Sequence, residues 1–229
     1  MNFLPGWFNG WPIITAHLTL LTLLLLTAKP AFIAVNRQPK AAAAALLILT
    51  VLWGLHAELG GGQLAGMNYH LLGISLITLM LGAPAALWLG VILLLPYSLL
   101  LHGTGNLPVV SLNALFLFLP AIAVNTALRR LGTRLPQHLF IYIFANGFIA
   151  AALGMLLTGI LLVVLLQLGG IYPAKILWES AFPVFFLLTW GEAFLTGLLT
   201  AIFVALAPQL LVTFDDARYL QAKNEIWKP

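Results

Sequence analysis

Residues 69–101 read YHLLGISLITLMLGAPAALWLGVILLLPYSLLL, and the fold turns on whether this run is one helix or two. It exceeds the roughly 20 residues that one apolar helix needs to cross a bilayer, and falls short of two generous crossings. Its interruption at Gly82-Ala83-Pro84 is a turn signal, because the residue before a proline is steered away from helical geometry. Charge decides between the two. Two short helices bring the total to seven crossings, with the N-terminus outside and the C-terminus inside. Nine of the ten Lys and Arg residues then fall on the cytoplasmic side, leaving only Lys175 outside. One helix splits the same ten residues four against six at best. Basic residues gather on the cytoplasmic side of membrane proteins, so two helices are expected.

The neighbouring runs fit the same scheme. Upstream, residues 11–27 form one apolar run that stops at Lys29-Pro30, and residues 41–56 form another after Asn36-Arg37-Gln38-Pro39-Lys40. Downstream come 108–128, closed by Arg129-Arg130 and Arg134, then 138–168 and 182–212. The 138–168 run is read as one long, tilted helix, since breaking it would undo the charge count. The expected fold is an all-α polytopic membrane protein of about seven transmembrane helices. Residues 1–212 make a single transmembrane domain and 213–229 a solvated cytoplasmic tail.

Composition agrees. Hydrophobic residues make up 62% of the 229 and charged residues 7%, with a mean hydropathy of +1.06. A soluble domain is about 45–50% apolar and about 25% charged. The net charge of +4 is scattered over several loops, forms no basic face, and so speaks against nucleic acid and for a membrane topology signal. The absence of Cys excludes disulfides, thiolate metal sites and cysteine nucleophiles. The first ten residues carry no Lys or Arg, and no cleavage site follows, so no cleaved signal peptide is expected.

Polar groups in such a chain are few enough to read one by one. The segment His56-Ala57-Glu58-Leu59-Gly60-Gly61-Gly62, followed by Gly66-Met67-Asn68-Tyr69-His70, sets two imidazoles and a carboxylate beside a glycine-rich turn. In the seven-crossing topology His56 ends the second span, His70 opens the third and His102 ends the fourth, so all three face outward. Imidazole and carboxylate together suit divalent transition metals. His70, His56, Glu58 and His102 are therefore the candidate ligands, with Glu58 equally able to orient a ligating ring. Harmless interfacial histidines are the alternative. Glu192 lies within the last span, roughly 15 Å from its outer end at 1.5 Å per residue. An ionised carboxylate there costs on the order of 2.5–3.5 kcal/mol and needs a partner or a proton, which marks it as support for a site. Asn68 and Asn113 are buried amides that can bond between helices. His17, two turns into the first span, reads as a packing residue.

Several enzyme classes drop out. His56-Ala57-Glu58 is not the two-histidine helical motif of an intramembrane metalloprotease. No nucleophile elbow or phosphate loop occurs, and Gly60-Gly61-Gly62 lacks a following Lys, so any ATPase is another chain.

The order of these pieces resembles the CbiM/NikM family, the substrate-capturing membrane components of nickel and cobalt energy-coupling-factor transporters. The marks are the glycine-rich turn before His70-Leu71-Leu72-Gly73, then Leu81-Gly82-Ala83-Pro84, the His102-Gly103-Thr104-Gly105-Asn106 loop, Asn113, and Gly191-Glu192-Ala193-Phe194-Leu195-Thr196-Gly197. The resemblance implies a multi-pass protein of the bacterial or archaeal inner membrane, partnered by a transmembrane coupling subunit and ATPase subunits. It implies a metal held by the N-terminal amine, by backbone and ring nitrogens of a second-position histidine, and by the histidine matching His70. This chain departs there, since its second residue is Asn2. Either His56, Glu58 or His102 replaces the missing group, which leaves zinc or copper open beside nickel and cobalt, or this branch serves another end. An ATPase-independent metal-delivery or assembly factor is the alternative to uptake, and a structural membrane protein is a third reading.

Overall fold

A computed structural model describes residues 3–58, 64, 66–136 and 138–219, apart from the side chains of Asp216 and Arg218. The Gly60-Gly61-Gly62 turn and the end of the expected tail lie outside these residues. Seven helices appear among them. They are α1 (Trp11–Arg37), α2 (Pro39–Gly54), α3 (Ile74–Leu81), α4 (Ala83–His102), α5 (Val110–Gly132), α6 (Leu139–Leu168) and α7 (Ala174–Leu206). A two-residue ribbon, β1 (Ala57–Glu58) against β2 (Asn68–Tyr69), bridges α2 and α3. Five helices are long and apolar enough to cross a membrane: α1, α4, α5 with the 3-10 turn Thr104–Val109 ahead of it, α6 and α7.

The 69–101 run does divide at Gly82, but unequally. Gly73 opens α3 at φ +69° and Gly82 closes it at φ +86°, both in the region that favours glycine. Pro84 then starts α4 in the first turn, where its missing N–H is no loss. That leaves α3 eight residues, about 12 Å at 1.5 Å per residue against the roughly 30 Å of a hydrocarbon core. Its C-terminal carbonyls are met by the chain beyond α7. The Val212 amide donates to the Met80 carbonyl, and both the amide and the hydroxyl of Thr213 donate to that of Leu79. The first residue of the expected tail is thus tied to the bundle, and Phe214 follows it onto Tyr142.

Two boundaries differ from expectation. Helix α1 runs through Pro30 to Arg37, since a membrane-embedded helix can re-satisfy the one carbonyl a proline frees. Helix α7 starts at Ala174. A π-helical widening at Leu177–Ala181 carries it past Pro183, which has no N–H to give the carbonyl four residues back. Helix α6 is one continuous element, as expected, with a π-helical stretch at Tyr142–Ile149.

Helix α6 packs between α5 and α7, with small residues at the contacts. A Cβ on Gly154 would come within 3.0 Å of the Ala121 backbone, the close approach that small residues allow between membrane helices. Asn125 of α5 donates to the Ser75 and Asn146 carbonyls, joining α3 and α6. Leu18, Leu25, Leu26 and Phe32 of α1 face outward and are exposed, as a lipid-facing surface requires. The N-terminal strap, Phe3 to Gly10, turns inward instead. Phe3 and Phe8 are buried edge to face, and Phe3 meets Phe116 of α5 in the same manner.

Candidate metal centre

The site is built on the irregular segment between β2 and α3. The antiparallel register pairs Ala57 with Tyr69 and Glu58 with Asn68. Extended one residue, it sets His56 across from His70. The ribbon therefore explains how two histidines fourteen positions apart come to one place.

His70 is 3% exposed. Its Nδ1–H donates to the Leu71 carbonyl at 3.0 Å, which fixes the tautomer and leaves Nε2 as a lone-pair donor. Nε2 is buried and without a partner. A ring whose outer nitrogen is tied to backbone while the inner one stays open is the arrangement metal-binding histidines adopt. His56, half-buried, makes the same kind of bond from Nδ1 to the Trp53 carbonyl, at 3.2 Å. The bond alone is not diagnostic, since exposed His17 gives one to Ile13 within its own helix. What sets His70 apart from His17 and His56 is the buried, vacant Nε2.

The backbone beyond His70 is pinned from two sides. Glu192 of α7, 1% exposed, accepts from the Leu72 amide through Oε2 and from the Gly73 amide through Oε1, each at 2.8 Å. These amides open α3, where a helix start leaves N–H groups unpaired and favours negative charge. Trp53 of α2 donates its indole N–H to the Leu72 carbonyl at 3.0 Å. The partners of the buried acid are thus backbone amides of the histidine loop.

Tyr97 of α4 stands between the two imidazoles, its ring 5.8 Å from that of His70 and 6.1 Å from that of His56. Its hydroxyl faces the Asn68 amide but closes no hydrogen bond of ordinary geometry, and both groups are left unpartnered. Asn113 of α5 clamps the strap. Its Oδ1 accepts from the Phe3 amide at 2.6 Å and its Nδ2 donates to the Phe3 carbonyl at 3.2 Å. Phe3 and Asn68 line one small cavity, so the strap and the histidine loop adjoin.

The other candidates stand further out. Glu58 is on the exposed strand β1. His102 is the last residue of α4, half-buried, with Nε2 unpartnered. Among the described residues no group of three or more His, Asp or Glu side chains is placed to hold one ion, so His56, Glu58, His70 and His102 do not form a ready four-ligand cage. Sequence reasoning missed Trp53, Tyr97 and Phe3.

By class this is a polytopic membrane bundle, with one buried imidazole left open beside a pinned, irregular loop. The chain belongs to the CbiM family, the cobalt uptake substrate-specific transmembrane region, whose model matches residues 5–210. It is a membrane component of transition-metal uptake. Two crystal structures share its fold. One, of a truncated transition metal transporter, superposes with a TM-score of 0.71 at 17% identity, covering 90% of this chain and 98% of that one. The other, of a transition metal transporter, gives 0.62 at 17%, covering 90% and 93%. No curated protein matches the chain significantly.

Proposed function

We propose that this protein captures a divalent ion of the cobalt and nickel class at its outer face, and passes it inward through a coupling membrane subunit driven by ATPase subunits. The observation that carries this is His70: a buried imidazole with a vacant Nε2, on a loop held by Glu192 and Trp53. Imidazole donors, with no thiolate in the chain, suit cobalt(II) and nickel(II).

In this reading His70 is the central ligand. His56 lies across the ribbon register and supplies a second nitrogen. Glu192, Asn113 and Asn68 position these groups, while Glu58 and His102 guide the cation inward at the rim. The topology proposed is seven passes with the N-terminus outside, the third pass being α3 together with the irregular segment before it. A short helix reached through irregular backbone that lines a site is a known membrane solution.

Calorimetric titration of the purified protein in detergent with cobalt and nickel tests this. His70→Ala is expected to lower affinity by at least about 100-fold, since it removes a ligand rather than an outer-shell partner. Full retention by the variant overturns the site.

A further inference from the structure

The bundle holds a second polar site, at the end of α3 remote from His70. A cavity of about 290 Å³ opens between the last turn of α5 and the first turns of α6, lined by Arg129, Arg130, Thr126, Thr133, Tyr142 and Asn146 among others. No Asp or Glu is among its described lining residues. Thr213 on its wall is hydrogen-bonded to Tyr142 and to the Leu79 carbonyl at the C-terminus of α3. The opposite end of that helix carries the Leu72–Gly73 turn of the metal loop.

Two guanidiniums in one concavity, with no carboxylate among the described lining residues, call for an anion with several acceptor oxygens.

Location supplies the source. The arginines end an apolar helix, at the level where a membrane span meets its headgroups. Tyr142, Phe214 and Tyr219 stack beside them, with ring centroids 5.0–5.5 Å apart, as aromatic residues do at that depth. Basic pockets between membrane helices on the cytoplasmic side take anionic headgroups. We infer that this cavity binds the headgroup of an anionic phospholipid, of the phosphatidylglycerol type.

Native mass spectrometry of the purified protein tests this, using phosphatidylglycerol and phosphatidylcholine at equal concentration. The wild type is expected to retain phosphatidylglycerol selectively. Arg129→Gln with Arg130→Gln is expected to cut that adduct by roughly tenfold or more. Lys175→Gln, a basic residue in the first turn of α7, is expected to leave it unchanged. Cobalt binding of each variant reports folding. Should the double variant misfold, the two single arginine variants carry the test. Equal adducts in wild type and arginine variants overturn the proposal, as does equal retention of both lipids. Stabilisation by millimolar inorganic phosphate that depends on the arginines, without any lipid preference, overturns the lipid source.

Discussion

Glu192 and Gly73, 119 residues apart in the chain, are joined by a 2.8 Å hydrogen bond from the Gly73 amide to Oε1 of the carboxyl group. The other oxygen takes the Leu72 amide. One buried side chain on α7 thereby fixes the Leu72 and Gly73 amides, just beyond His70. Glu192→Gln keeps the shape but turns one acceptor into an NH2 group that meets an N–H donor. Metal affinity is expected to fall by about 10- to 100-fold, the usual effect of losing an outer-shell partner, while size-exclusion behaviour stays that of the wild type. Unchanged calorimetric affinity would show that the loop keeps its form without the carboxylate.

Asn113 acts on the strap as Glu192 acts on the loop, holding one backbone residue by both its amide and its carbonyl. Asn113→Ala deletes two buried hydrogen bonds and is expected to cost about 1–3 kcal/mol. Asn113→Asp keeps the acceptor for the Phe3 amide, loses the donor to the Phe3 carbonyl, and should fall between. Thermal unfolding and hydrogen exchange at Phe3 measure both. Exchange of that amide at the wild-type rate in the alanine variant would mean the strap is held elsewhere.

The tautomer of His70 can be checked directly. Its bond to the Leu71 carbonyl places the proton of the neutral ring on Nδ1 and leaves Nε2 open. Nitrogen-15 spectra of labelled histidine at pH 8 should show His70 protonated at Nδ1, and zinc should shift the Nε2 resonance. A ring protonated at Nε2 would contradict the proposed donor.

Much of this was legible because a bilayer writes its constraints into composition. The apolar runs and the Gly82 break mark the helices, and His70 and Glu192 stand out because ionisable groups are so rare in such a chain. Their roles were less legible. Glu192 takes its partners from backbone amides some 120 positions away, and amides carry no sequence signal. Tyr97 and Trp53 look like any aromatic residues facing lipid, and only packing shows them against the imidazoles. Pro30 misled because its rule holds most firmly where water competes for the freed carbonyl. The ribbon register that pairs His56 with His70 depends on a two-residue match too short to read in advance.

Gly73 is where backbone geometry and metal capture meet most tightly. Its φ of +69° costs other residues about 1–2 kcal/mol, and a Cβ there would lie 2.7 Å from Leu52 Cδ1 and 3.3 Å from Leu49 Cδ2. Leu52 and Leu49 can give way, but the positive φ remains, so Gly73→Ala is expected to shift the peptide whose amide Glu192 receives. Gly82 is the natural comparison. It too has a positive φ, but a Cβ there meets nothing nearer than the Pro84 ring at 4.0 Å, and it sits at the far end of α3. Both alanine variants should unfold at lower temperature than the wild type, whereas only Gly73→Ala should also lose cobalt affinity. Combined with Glu192→Gln, it should lose less than the sum of the two single effects, because both act through one hydrogen bond. Full additivity, or an equal loss of affinity in Gly82→Ala, would detach the histidine loop from the carboxylate that is taken to hold it.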